Sequence, residues 1–149
     1  MIEPHNDSFF MKQALNEANE ALKKGEVPIG AVIVCDNQII ARGHNLTETL
    51  NDVTAHAEMQ AITAAANFLG GKYLLNCTLY VTLEPCQMCG GALFWSQISR
   101  IVYGAKDKDR GCINLKTKLH PKTKIIGGIL EKESSNIIKR FFIEKRNLS

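Results

Sequence analysis

Between Ser8 and Lys24 the apolar residues Phe10, Met11, Ala14, Leu15, Ala18 and Leu22 return every three or four positions. That is the stripe of an amphipathic helix, with Asp7 or Ser8 available as its cap and Gly25 as its stop. The stretch "PIGAVIVCDNQIIARG" then switches to β-branched runs on either side of Asp36 and Asn37, a pair that tolerates positive φ and predicts a two-residue hairpin turn. A polar loop leads into "AHAEMQAITAAANFLGG", a second helix that ends on paired glycines. "CTLYVTL" is apolar on both faces and predicts a strand in the middle of a covered sheet. The pattern continues with a helix from about Cys86 to Ser96, a strand "RIVYGA", an irregular basic stretch, a short strand near "KIIGGI" and a helix from Glu131 to Lys145. Helix and strand alternate, which predicts one α/β domain across residues 1–149. Its mixed sheet lies between helices, with the first two strands antiparallel and the later ones joined through helical crossovers.

Composition narrows the class. The chain has 149 residues, 45% hydrophobic and 22% charged, values of an ordinary globular domain rather than a disordered segment. Acidic residues stand near the N-terminus where a secretion signal would be basic, and no apolar run approaches the ~20 residues needed to cross a bilayer. A cytoplasmic protein with no membrane partner is expected. The net charge of +3 is unevenly placed: residues 100–149 hold 13 Lys/Arg against 5 Asp/Glu. Either the C-terminal third meets a polyanion such as nucleic acid, or it is a solvated basic face.

Five cysteines, Cys35, Cys77, Cys86, Cys89 and Cys112, are an odd number in a chain without an export signal, which argues against a disulfide framework. Cys86 and Cys89 open a predicted helix behind Pro85. Residues three apart on a helix differ by about 60° around its axis, so both sulfurs can face one point. Taken alone, this CxxC fits a redox pair, half of a structural zinc site or half of a catalytic one. No second CxxC or HxxxH completes a closed four-ligand site. His56, at the start of the second helix, is a third ligand candidate, while Glu58 points about 200° away from it on an ideal helix. That spacing suits one ligand and one reacting acid. Three ligands leave a fourth position for water, the pattern of a catalytic zinc. Two thiolates soften the metal as a Lewis acid, so a base such as Glu58 is needed to move the proton.

"HAE" at 56–58 followed by "PCQMC" at 85–89 resembles the signature of the zinc-dependent nucleobase deaminases of the cytidine/deoxycytidylate deaminase superfamily. Within it, "GEVPIGAVIV", "TAHAEMQAI", "TLYVTLEPCQMCGGAL" and "RIVYGAKD" look like the bacterial tRNA-specific adenosine deaminases, from about Phe10 to Gly111 and on into the last helix. The resemblance implies a three-layer α/β/α cytidine-deaminase-like domain with a five-stranded mixed sheet, one Zn2+ per chain, and a homodimer that binds a tRNA anticodon loop and converts the wobble adenosine to inosine. His56, Cys86 and Cys89 become the zinc ligands and Glu58 the proton shuttle. Asn45 and the main chain at Ala57 and near Cys86 contact the target nucleotide or the hydroxide, and Asp107 lies beside the tRNA backbone. Lys106, Lys139, Arg140, Phe142 and Arg146 are candidate RNA contacts, although a Phe141–Phe142 pair on a last helix more often packs in the core. Val53 stands where many relatives have proline, and the segment from Cys112 to Pro121 looks shortened, which bears on substrate choice. Two other readings fit: a free base or nucleoside deaminase acting on guanine or cytosine, with Trp95 either walling the pocket or packing in the core, and a non-catalytic zinc or redox module that binds RNA. His44 and His120 are expected to be loop residues.

Overall fold

The computed structural model describes residues 5–148; the first four residues, part of the acidic N-terminal stretch, lie outside it. Helix α1 (Asp7–Lys23) is capped by Asn6, whose side chain accepts the Phe9 N–H, rather than by Asp7 or Ser8, which fall inside the helix. Strands β1 (Gly30–Cys35) and β2 (Gln38–His44) follow as an antiparallel hairpin. Asp36 and Asn37 both take positive φ, 51° and 61°, as a turn matching the sheet's twist requires. Helix α2 (Ala57–Leu69) ends on left-handed Gly70. Next come β3 (Cys77–Leu83), α3 (Gln87–Ser96), β4 (Arg100–Ala105), β5 (Lys124–Ile126) and α4 (Glu131–Asn147).

One five-stranded sheet runs in the order β2-β1-β3-β4-β5. β1 is antiparallel to β2 and β3, while β3, β4 and β5 are parallel. β3 is central, in keeping with its two apolar faces. The β3–β4 crossover is the helix α3, whereas β4 reaches β5 through the irregular 106–123 segment without a helix, which corrects the expectation of helical crossovers throughout.

Side chains alternate between the sheet's faces. Ala31, Ile33, Leu79, Val81 and Ile101 meet Ala57, Ala61 and Ala65 of α2 and Leu93 of α3. Val32, Val34, Tyr80 and Val102 meet Phe10, Met11 and Ala14 of α1, and α4 packs beside β4 on that side, where Ser134 lies against Gly104. The molecule is therefore a three-layer α/β/α sandwich. Gly30 lets α1 approach closely, since a β-carbon there would stand 2.1 Å from the Ala14 carbonyl oxygen. The parallel strands β3 and β4 point their carboxyl ends toward the N-termini of α2 and α3, the edge of an α/β sheet where ligands bind.

Candidate active site and metal centre

His56 and Cys86 each occupy the position just before a helix, in extended conformation (φ −74°, ψ 158° and φ −72°, ψ 176°), and neither side chain caps its own helix. Both are therefore free to turn toward one another. Cys89, fully buried in the first turn of α3, completes the group. His56 Nδ1 lies 3.6 Å from Cys86 Sγ and 3.5 Å from Cys89 Sγ, and all three donor atoms fall within 4.8 Å of one another. A tetrahedral zinc with Zn–S of ~2.3 Å and Zn–N of ~2.0 Å needs a sulfur–nitrogen separation of about 3.5 Å. The donor set and its spacing fit that ion, and as the only such cluster among the described residues it has three ligands rather than the four of a closed structural site.

The donors are also electrostatically prepared. A hydrogen bond from Cys89, with help from His56, lowers the Cys86 thiol to about 4. The same bond pushes Cys89 upward, so the pair holds one proton until a cation displaces it. Beside them Glu58, in the first turn of α2, is only 4% exposed. Burial pushes its carboxyl up to about 7, and the charge on Cys86 adds to the rise. A carboxyl poised near neutrality can both accept and return a proton.

A cleft of about 520 Å³ opens over this group. Of the residues expected at the site, His56, Ala57, Glu58, Asn45, Lys106, Asp107 and Phe142 all line it. Asn45 is buried, and its Oδ1 has no hydrogen-bond partner among the described residues. Asp107 Oδ1 instead accepts the N–H groups of Asp109 and Arg110, which makes that carboxylate a brace of its own loop. The two phenylalanines divide: Phe141 is core and Phe142 lines the cleft. Lys139 borders a separate open groove at the start of α4, and Arg140 and Arg146 do not line the cleft.

Trp95 serves in neither expected role: it is 77% exposed on the outer side of α3, edge to face with Phe94. His44 is the last residue of β2 rather than a loop residue, its Nδ1 3.1 Å from Glu17 Oε1 and its Nε2 2.9 Å from Lys24 Nζ. His120 does lie in the loop before β5.

Two buried carboxylates escaped the sequence reading. Glu26 accepts the N–H of Glu48 and of Thr49 and the Thr49 hydroxyl, fixing the loop whose Thr47 borders the cleft. Glu84 accepts the N–H of Asp107 and of Ile113. The available signal for Glu84 was a lone acid between a buried strand and Pro85. The apolar lining from Val27, Ile29, Leu83 and Ile138 carried no distinguishing sequence mark.

The family model for the cytidine and deoxycytidylate deaminase zinc-binding region matches residues 4–105. The chain is 45% identical over 146 residues to the tRNA-specific adenosine deaminase of Bacillus subtilis (strain 168), covering 94% of this chain and 91% of the relative. It is 46% identical over 145 residues to the tRNA-specific adenosine deaminase of Aquifex aeolicus, covering 93% and 95%. A structure solved in a study of A-to-I editing by tRNA:A34 deaminases at the wobble position of transfer RNA superposes with a TM-score of 0.82 and 43% identity, over 87% of this chain and 99% of the other. A guanine deaminase from Bacillus subtilis matches with a TM-score of 0.67 and 44% identity, over 70% of this chain and 68% of its own. With a family model spanning more than half its length and relatives above 40% identity along nearly all of theirs, the chain belongs to the cytidine and deoxycytidylate deaminase family of zinc enzymes.

Proposed function

We propose that residues 1–149 act as one deaminase domain that hydrolyses adenosine to inosine, releasing ammonia, at the wobble position of a tRNA anticodon. The observation that carries the chemistry is the convergence of His56, Cys86 and Cys89 beside buried Glu58 at the foot of an open cleft. The curated relatives, tRNA-specific adenosine deaminases at 45–46% identity, support the substrate.

His56, Cys86 and Cys89 would hold the zinc. Bound there, the ion supplies the Lewis acidity that brings water within reach of deprotonation near neutral pH. Glu58 would take one proton from the attacking water on a carboxylate oxygen and pass it to N1 of the purine as hydroxide adds at C6; it would then carry the proton of the new C6 hydroxyl to the amino nitrogen, which leaves as ammonia. Asn45 offers its unpaired Oδ1 to the entering nucleotide, and the main chain at Ala57 lines the same end of the cleft. An anticodon loop presents its base already unstacked, so no duplex opening is required. Lys106, Lys108 and Arg110 at the rim suit phosphates, and Phe142 offers a ring for stacking. Lys139, Arg140 and Arg146 extend the positive charge along α4.

No helix among the described residues is long and apolar enough to cross a membrane, and a tRNA substrate supports action in the cytoplasm. The exposed Phe68, Leu75 and Trp95 support association into a homodimer, which sedimentation will report. The likeness to a guanine deaminase favours a second reading, deamination of a free purine base. Inosine formation in a transcribed anticodon stem-loop, set beside ammonia release from free bases, separates the two; turnover of free bases alone overturns the tRNA reading.

A further inference from the structure

We infer that Glu84 is a positioning residue: its buried carboxylate clips the 107–113 segment at both ends and so sets where the cationic wall of the cleft meets RNA. The inference rests on the tRNA reading above. Glu84 is 2% exposed and does not line the cleft. Its Oε1 accepts the Asp107 N–H at 3.2 Å and its Oε2 accepts the Ile113 N–H at 3.0 Å. This stretch has little regular structure, so its inward-facing N–H groups need acceptors from elsewhere, and one carboxylate supplies two.

Between the clipped ends lie Lys108, Asp109 and Arg110, which form the cleft wall together with Lys106 and Asp107. The segment is also keyed to the metal site. Gly111 bridges to Cys86, and the Cys112 N–H donates to the Pro85 carbonyl at 2.8 Å. Glu84 stands two residues before Cys86, so a single turn of chain carries both a metal ligand and the clip for the opposite wall. Gly111 is part of the fit: a β-carbon there would come within 2.2 Å of Glu84 Oε2 and 2.4 Å of the Asp107 carbonyl oxygen.

Two variants approach the clip from opposite sides. Glu84→Gln keeps the size but turns an N–H donor toward one of the two backbone donors, releasing one end. Gly111→Ala leaves the carboxylate in place and pushes the segment off it. In both, KM for the anticodon stem-loop should rise about tenfold, the loss of roughly one well-placed contact. In both, kcat should change less than about threefold, with zinc near one per chain and faster hydrogen exchange at the Asp107 or Ile113 amide. A KM unchanged despite faster exchange overturns the inference, and so does a fall in kcat that follows zinc loss, because Glu84 would then be a general structural support. If Glu84→Gln does not fold, Gly111→Ala alone decides by the same criteria. Wild-type enzyme that ignores the stem-loop overturns the tRNA reading and this inference with it, whereas a responsive wild type with variants of unchanged KM overturns the inference alone.

Discussion

Gly43 of β2 and Ala57, the first residue of α2, pack so closely that a β-carbon on Gly43 would stand 2.5 Å from the Ala57 carbonyl oxygen. The same β-carbon would lie 2.8 Å from the Ala61 amide nitrogen. Because α2 begins immediately after His56, this spacing decides where the imidazole sits. Gly43→Ala should force α2 outward, cost about 2–3 kcal/mol and lower Tm by roughly 5–10 °C. It should also weaken zinc binding, which a competition titration with a chelator will measure.

Removing any one donor leaves two, too few for a tight site. His56→Ala, Cys86→Ser and Cys89→Ser should each lower zinc from near one per chain to near zero by elemental analysis. Cys89→Ser should also be the least stable of the three, because it places a hydroxyl at a fully buried position.

Glu58→Gln should keep the metal and reduce turnover by about 10²–10⁴-fold, the usual worth of a positioned proton carrier. As a base Glu58 must be ionised, so kcat/KM should fall as pH drops through its pKa. Bound zinc pulls that pKa below the value of about 7 in the metal-free site, placing the acid limb below neutrality. In metal-free protein the linkage is to stability: the raised pKa favours folding most fully below pH 4.5, and the advantage is lost as pH rises through about 7. Across that window the Cys86 thiol, lowered to about 4, adds stability as pH rises and opposes this loss. In chemical denaturation, apo wild type should therefore lose stability relative to apo Glu58→Gln between about pH 4.5 and 7.

Asp7 and Arg100 join the start of α1 to β4 by two parallel bonds of 2.7 and 2.8 Å, and Tyr80 donates its hydroxyl to the same carboxylate at 2.7 Å. The arginine holds Asp7 below its ordinary 3.8. The stability this adds is present above pH 3.8 and lost as pH falls through the lower folded value. Asp7→Asn should cost about 1–2 kcal/mol at neutral pH, with the gap from wild type closing in acid unfolding curves.

What the chain revealed in advance was what depends on near neighbours. Periodicity located α1 and α2, Asp36 and Asn37 located the hairpin, and the paired signatures at 56–58 and 85–89 located the metal donors. What stayed hidden depends on distant partners. Nothing near Glu84 announces that the backbone at 107 and 113 will fold over it, and nothing near Glu26 announces Glu48 and Thr49. The exposure of Trp95 was equally hidden, because α3 is apolar on most of its surface and its outward face has no polar stripe to mark it. Phe141 and Phe142, adjacent in sequence, part company only because α4 rotates one toward the sheet and the other toward the cleft.

The His56–Cys89 contact spans 33 positions of chain, enclosing the whole of α2, the whole of β3 and the start of α3. An ion gripping both ends works as a removable staple: it binds the folded arrangement and not the unfolded chain, so its binding free energy adds to that of folding. Thermal resistance should therefore track free zinc in solution, rising with the logarithm of its concentration once the site is saturated. Scarcity of the metal would then lower the amount of folded enzyme as well as its turnover.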